Sequence, residues 1–222
     1  LVDGGVSAWL AHDVRPGAVI GYDPRLHSPD ALDRLRAAIE KAGGSLVAAT
    51  SNPLDEAWGL GRPAQPQAPV VPHPLNYAGQ PSADKRRALA ERLRELGADA
   101  VVITTPASIA WLFNIRGGDV IRSPLPLAQA IVSADGSASL YLDPAKRTQG
   151  LAAWLGDDVA LVDPGRLAAD LAGLDGQRVL LDPASASAWY FETLSAASVE
   201  IVRGPDPTVL PRAIKNPVEV AG

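Results

Sequence analysis

Short apolar segments alternate with amphipathic helical stretches along most of the chain, and this alternation limits the folds open to it. Ala18–Tyr22 and Leu46–Ala49 have the composition of short buried strands. Between them, Leu32, Leu35 and Ile39 follow the spacing of one helix face. Strand, helix and strand in this order predict an α/β fold.

The second half of the chain repeats this alternation and adds a hairpin. The sequence predicts strands at Ala100–Ile103, Leu127–Ser133, Ser139–Leu142, Val159–Val162, Val179–Leu181 and Val199–Val202. Asp135-Gly136, between the second and third of these strands, is a strong β-hairpin signal. Helices between the strands together with one hairpin predict a mixed sheet flanked by helices.

Six prolines lie between Arg62 and Pro81. Because proline lacks an N–H and fixes φ, this density favours a stiff, extended segment. We predict an interdomain linker at 63–81, in preference to a proline-rich ligand for an SH3 domain.

Two segments of the chain resemble one another. Gly17–Pro24 and Gly176–Pro183 share a glycine, an apolar strand and Asp-Pro at the same spacing. A helix, a strand and later an Asn-Pro follow each of them, at Asn52-Pro53 and Asn216-Pro217. Chance similarity and an internal duplication of the chain both explain this resemblance between the two segments. Under duplication, residues 1–62 are the second half of a domain whose complete copy is 82–210.

Composition excludes several classes of function. The formal net charge of -5 gives no electrostatic footprint for nucleic acid, which we do not expect as a partner. The absence of cysteine excludes thiolate catalysis and sulfur-ligated metal sites, and it fits the cytoplasm best. No apolar run approaches the roughly 18 residues of a membrane helix. Because Leu1 is not methionine and the last residues begin a helix, we expect a truncated fragment of a longer protein.

The residues alone show no catalytic apparatus. His12, His27 and His73 lie in turn-like or proline-rich stretches without partners at metal-ligand spacing. Four aspartates directly precede a proline at predicted strand ends or turns, which favours turn chemistry over a carboxylate site. These aspartates are Asp23, Asp143, Asp163 and Asp182.

A predicted helix from Ser82 to Gly97 carries five basic residues, Lys85, Arg86, Arg87, Arg92 and Arg94. A phosphate-binding surface is one interpretation of this cluster. Because acidic residues are interspersed, we predict a solvated helix face instead.

The segment 109–119 joins a buried helical stripe to a glycine-opened loop. Ile109, Leu112 and Phe113 have helical spacing. Two glycines then end the helix and present Arg116 and Asp119. Arg116 either has a functional role in this loop, or it pairs with local carbonyl groups or with Asp119; these interpretations remain open.

Several motifs resemble those of the three-domain Xaa-Pro aminopeptidases, members of the creatinase/prolidase "pita-bread" superfamily. Segment 109–117 resembles the family's IAWLxNxRG signature. Three further segments agree in register: 52–63 with NLVDxxW…RP, 77–85 with YAGxS…K, and 212–219 with KxxKNPxE.

The resemblance implies a fold of two creatinase-N-like, ribonuclease H-like domains. Residues 1–62 would be the C-terminal part of the first, 82–210 the complete second, and 211–222 the start of an absent catalytic domain. It also implies that the parent protein releases the N-terminal residue from peptides with proline second, using two divalent metal ions, Mn or Zn. Because the metal ligands belong to the catalytic domain, no cofactor and no catalytic residue are expected in this segment. The alternative is an interaction or dimerisation module of a catalytically inactive relative.

The resemblance also indicates which residues would bind substrate and which partners to expect. Arg116 and Asp119 are the candidate substrate-binding residues, the expected partners are the catalytic domain and a second copy in a homodimer, and no membrane contact is expected. Two positions depart from the family pattern. Pro106-Ala107-Ser108 replaces an acidic segment, and Gly118 stands where serine is frequent.

Overall fold

The computed structural model of this chain describes residues 5–221. These residues form two compact units. Unit 1 contains the residues up to Ala64 together with Pro183–Glu192, and unit 2 contains Gln65–Asp182 together with the residues from Thr193 onward. The domain limits 1–62, 63–81, 82–210 and 211–222 stay predictions, and residues 1–4 and 222 within them lie outside the described part. No helix in the described range is long and apolar enough to cross a membrane.

Unit 1 is built on a pair of parallel strands. Its elements are α1 (Gly5–Asp13), β1 (Val19–Tyr22), α2 (Pro29–Lys41), β2 (Ser45–Ala48) and α3 (Pro53–Trp58), followed by a 3-10 turn at Gly59–Gly61. Val19 of β1 lies opposite Ser45 of β2. The Ser28 hydroxyl caps α2 by accepting a hydrogen bond from the Ala31 N–H at 3.3 Å. The predicted strand, helix and strand are thus confirmed.

Unit 2 contains a six-stranded mixed sheet. The strands of this unit are β3 (Val71–Pro72), β4 (Ala100–Ile103), β5 (Ile115–Arg116), β6 (Gln129–Ser133), β7 (Ala138–Tyr141), β8 (Val159–Val162), β9 (Arg178–Leu181) and β10 (Glu200–Arg203). The sheet has the order β10-β9-β4-β6-β7-β8. Strand β4 is parallel to β9 and antiparallel to β6. The predicted mixed α/β sheet is therefore confirmed.

Seven helices of the described residues lie within unit 2, namely α4 (Leu75–Ala78), α5 (Ser82–Glu95), α6 (Pro106–Leu112), α7 (Leu151–Leu155), α8 (Leu167–Ala172), α10 (Val209–Ala213) and α11 (Pro217–Ala221). Helix α9 (Ala188–Ala196) has residues up to Glu192 in unit 1 and the rest in unit 2. The main hydrophobic cluster joins Leu93 of α5, Leu112 of α6 and Leu151 of α7 to Val101 and Ile103 of β4. Short 3-10 helices follow β7 and β8 at Pro144–Lys146 and Pro164–Arg166.

The predicted hairpin forms between β6 and β7. Gly136 takes φ +92° at its turn, in the left-handed region that glycine tolerates best. The glycine is thus placed where the turn requires its freedom.

From Gln65 onward the proline-rich segment belongs to unit 2, and backbone N–H groups between its prolines bind it there. The Val70 N–H donates to the Lys146 carbonyl at 2.8 Å, and the His73 N–H donates to the Asn114 carbonyl at 2.7 Å. Strand β3 lies antiparallel to β5. Prolines therefore alternate with residues whose backbone is bound, so this stretch forms an edge of the unit.

Candidate functional site

Helix α6 places the signature segment. Ile109, Leu112 and Phe113 are fully buried, which confirms the predicted stripe. The helix ends at Leu112, and Asn114 follows with φ +50°, in the left-handed region. Asparagine tolerates this conformation better than most residues with a Cβ. The backbone therefore turns sharply just before Arg116.

Four hydrogen bonds hold Asn114 in place. Its Oδ1 accepts from Lys85 Nζ at 2.7 Å, and its Nδ2 donates to the Gln80 carbonyl at 2.8 Å. Its own carbonyl accepts from the His73 N–H at 2.7 Å and from Trp154 Nε1 at 3.0 Å. The turn is thus fixed from four separate points of unit 2.

Lys85 is the buried cation of this site. Its Nζ also donates to the Trp111 carbonyl at 3.0 Å and lies 4.4 Å from the centre of the Trp111 ring. Only 3% of the residue is exposed. Burial lowers the pKa of Lys85 to about 8, although the charge of Glu219 acts in the opposite direction.

The predicted solvated face of α5 is wrong for Lys85 and Arg86. Arg86 is also buried, and its Nη1 donates to the Gly136 carbonyl at 2.5 Å. Both residues share the helix stripe of Leu89 and Leu93, at three- and four-residue spacing. That spacing is the signal that would have predicted their burial. The acidic residues of α5 lie on its exposed side, and their presence favoured the prediction of a solvated face for all five basic residues.

Arg116 is half-buried on β5, opposite Val71. Its Nη1 donates to the carbonyls of Ile115 at 2.9 Å and Ala110 at 3.2 Å. Burial lowers the pKa of Arg116, and Glu219 raises it. Among residues 5–221, the structure shows no carboxylate in an ion pair with this guanidinium.

Asp119 does not pair with Arg116, so the alternative prediction of that ion pair is wrong. Its side chain is fully buried and lies 2.8 Å from Lys146 Nζ. The carboxylate also accepts from the N–H groups of Ala68 and Leu127, at 3.1 and 2.7 Å. The prediction that the two glycines end the helix is also wrong, because α6 ends at Leu112 and Asn114, not Gly117 or Gly118, takes the left-handed conformation. Whether Arg116 or Asp119 binds substrate stays a prediction.

Asn216, in segment 212–219, connects that segment to segment 77–85. Its Nδ2 donates to the Ala78 carbonyl at 2.9 Å, and its Oδ1 caps α11 by accepting from the Val218 N–H at 3.0 Å. Gly79 has φ +69°, and a Cβ there would overlap the Asn216 amide. A glycine is therefore required at this contact.

The family-like motifs of unit 2 converge on one site. The charge of Glu219, from the 212–219 segment, influences Lys85, Arg116 and His73. Burial lowers the pKa of His73, and the charges of Arg116 and Lys85 lower it further. The His73 ring stacks on Tyr77, with centroids 5.8 Å apart. Segments far apart in sequence thus form one polar cluster.

At Pro106-Ala107-Ser108, where the sequence differs from the family pattern, an acidic side chain from a later segment contacts the start of α6. The Ser108 hydroxyl donates to Asp206 Oδ2 at 2.6 Å, and both residues are buried. A carboxylate therefore contacts the start of α6, although the helix itself lacks the acidic residues frequent in the family.

Three of the aspartates that precede a proline cap a turn, as predicted, and the fourth, Asp182, accepts a hydrogen bond from the Asp206 N–H at 3.1 Å. Asp23, Asp143 and Asp163 each accept a hydrogen bond from the N–H two residues later, at 2.7–2.8 Å. Within the described range, no three histidine, aspartate or glutamate residues form a group able to hold a metal ion. The described residues thus contain the half-buried Arg116 but no cluster that could hold a metal ion.

Comparisons with known proteins agree with these motifs. The creatinase/prolidase N-terminal domain family matches residues 61–219. The chain belongs to this family. The match includes the Lys85, Arg116 and Asn216 cluster, so the converging contacts lie in the region that defines the family.

Similar proteins extend well beyond this chain. The probable Xaa-Pro aminopeptidases P of Coccidioides posadasii and Aspergillus niger are each 34% identical over 224 residues. These alignments cover 96% of this chain but 34% and 36% of those proteins. This chain therefore spans about a third of the length of the curated relatives that it matches.

A solved structure gives the same picture. The X-prolyl aminopeptidase of Caenorhabditis elegans, a cytosolic enzyme with a di-nuclear active site, matches with a TM-score of 0.84 and 25% identity. The match covers 97% of this chain and 36% of that one.

Proposed function

We propose that this chain is the non-catalytic N-terminal part of a metal-dependent aminopeptidase that releases the N-terminal residue from Xaa-Pro peptides. The Arg116 side of unit 2 faces the active site, which the rest of the parent carries. The similarity to Xaa-Pro aminopeptidases over 96% of this chain supports the proposal.

The observation that carries it is the surface around Arg116. Apolar side chains from three segments are exposed there, namely Val71, Leu75, Tyr77 and Val218. Val71 is the strand partner of Arg116, and α4, which carries Leu75 and Tyr77, packs against α11, which carries Val218. We call these residues with Arg116 the motif face. Contiguous exposed apolar surface is typical of an interface, and a half-buried guanidinium within it suits a peptide carbonyl or carboxylate.

The remaining assignments form part of the same proposal. Residues 1–62 belong to a first creatinase-N-like domain, 82–210 to the second, and 211–222 begin the catalytic domain, where two Mn or Zn ions bind. The parent is a cytoplasmic homodimer. Arg116 contacts substrate, whereas Asp119, buried against Lys146, acts on substrate only through the loop.

The test uses the full-length parent and an Xaa-Pro peptide. We expect metal-dependent cleavage, lost on chelation, and for Arg116→Ala a fall in kcat/KM of about a hundredfold, as for a removed charge-assisted hydrogen bond. Arg94→Ala, at an exposed position of α5, is the matched control and should retain wild-type kcat/KM. An unchanged kcat/KM for Arg116→Ala would remove its role in substrate binding.

The rival, an interaction module of an inactive relative, uses the same motif face. It predicts a folded parent that binds a partner but neither cleaves Xaa-Pro peptides nor carries the five metal ligands. Reading the encoded residues after Gly222 for two aspartates, one histidine and two glutamates decides between the two.

A further inference from the structure

The chain after Arg116 folds back on itself. In the 117–127 loop, the Gly117 N–H donates to the Pro124 carbonyl and the Asp119 N–H donates to the Leu125 carbonyl, each at 3.2 Å. A Cβ on Gly117 would lie 2.9 Å from Pro126. The loop is therefore closely packed immediately beside Arg116.

A buried ion pair closes this loop. The side chains of Lys146 and Asp119 are 6% and 0% exposed. Lys146 Nζ donates to Asp119 Oδ2 at 2.8 Å and to the Leu127 carbonyl at 3.2 Å. The Leu127 N–H donates to the same carboxylate. Both ends of the loop thus meet at one ammonium group.

Lys146 also holds the strand on the other side of Arg116. Its backbone carbonyl accepts from the Val70 N–H at 2.8 Å. Val71 follows directly and pairs with Arg116 in the β3–β5 ladder. One residue therefore anchors both neighbours of Arg116, through its side chain on the loop and through its backbone on β3.

We infer that Lys146 is a positioning residue that, through Asp119, fixes the direction of the Arg116 guanidinium toward substrate. The inference rests on the proposed function. Removing one partner of a buried ion pair leaves the other charge uncompensated. Without Lys146, the Asp119 carboxylate must reach water, which opens the loop and releases Arg116.

The first test measures kinetics of the full-length parent. We expect Lys146→Met to raise KM for an Xaa-Pro peptide about tenfold, because a displaced contact group loses binding. Arg116→Ala/Lys146→Met should match Arg116→Ala alone, since Lys146 acts through Arg116. Lys41→Met, the same substitution at an exposed position of unit 1, should leave KM unchanged. Independent, multiplying losses in the double variant would overturn the inference.

The second test does not depend on activity. Amide hydrogen exchange over residues 117–127 of the parent should be at least about tenfold faster in Lys146→Met than in wild type. Wild-type exchange in this variant would overturn the inference. Failure of the wild-type parent to cleave Xaa-Pro peptides is a separate outcome, which overturns the proposed function and the substrate role of Arg116 with it.

A double variant that lacks both charges provides the test if Lys146→Met does not fold. Asp119→Asn/Lys146→Met removes both charges, so no charge is left buried alone. We expect slow exchange and most of the wild-type KM to return. Slow exchange together with a persistent tenfold rise in KM would contradict positioning through Asp119.

Discussion

The two segments that resemble one another in sequence fold alike but are buried differently. Strand β1 begins two residues after Gly17, and β9 begins two residues after Gly176. Each pairs in parallel with the strand that follows its helix, Val19 with Ser45 and Arg178 with Glu200. The same local pattern thus precedes the same order of strand, helix and strand at both places in the chain.

Their surroundings account for the difference in burial. In unit 2, β9 lies between β10 and β4, and Val179 is 0% exposed. In unit 1, β1 pairs with β2 alone among the described residues, and Ile20, at the position equivalent to Val179, is only partly buried. Parallel sheets are normally covered on both faces. The comparison therefore supports the proposal that unit 1 is one part of a larger domain.

The largest expected effect tests that difference with one substitution. Val179→Ala should lower the free energy of unfolding of unit 2 by about 2 kcal/mol, because it removes fully buried apolar surface. Ile20→Ala, at the equivalent position of β1, should cost less, about 1 kcal/mol, because that side chain is only partly buried although it is the larger one. Urea unfolding of the chain measures both. Equal losses would show that β1 is covered as well as β9.

The Asn-Pro caps that follow the two segments give a smaller effect. Asn52 and Asn216 each cap a helix, and each also donates one bond at 2.9 Å, Asn52 to Asp23 Oδ2 and Asn216 to the carbonyl of the buried Ala78. Losing a cap costs about 1 kcal/mol. Asn216→Ala should cost a further ~0.5–1 kcal/mol, because the Ala78 carbonyl it leaves without a donor is buried, whereas the partly exposed Asp23 carboxylate can turn to water. Urea unfolding in which Asn52→Ala is the more damaging variant would contradict this order.

The third prediction concerns pH and the buried cation of unit 2. Because the native pKa of Lys85 is about 8 and its ordinary value is 10.5, the unfolded chain binds more protons between these values. The contribution of Lys85 to the free energy of unfolding should therefore rise as pH increases through this window and stay constant below it. Unfolding of wild type and Lys85→Met across pH 7–10.5 measures that contribution as their difference. A flat difference would contradict the shift.

Local patterns in the sequence predicted the elements of the fold. The stripe of Ile109, Leu112 and Phe113, the Asp135-Gly136 hairpin and the aspartate caps depend on residues within a few positions of each other. Their geometry is therefore decided nearby along the chain, and the structure agrees with it.

Such local patterns do not predict contacts between residues that are far apart in sequence. Lys85 meets Asn114 across 29 positions, and Asp119 meets Lys146 across 27. Periodicity assigns a side chain to a helix face but does not identify its partner. The sequence thus located the Arg116 loop and the pairing of Arg116 with local carbonyls, but of the interpretations left open the Arg116–Asp119 ion pair is wrong.

The most direct test of the central proposal compares the full-length parent with residues 1–222 alone on one Xaa-Pro peptide, with and without Mn or Zn. We predict metal-dependent release of the N-terminal residue by the parent and none by the 222-residue chain. Cleavage by the 222-residue chain alone would contradict a non-catalytic role for this chain.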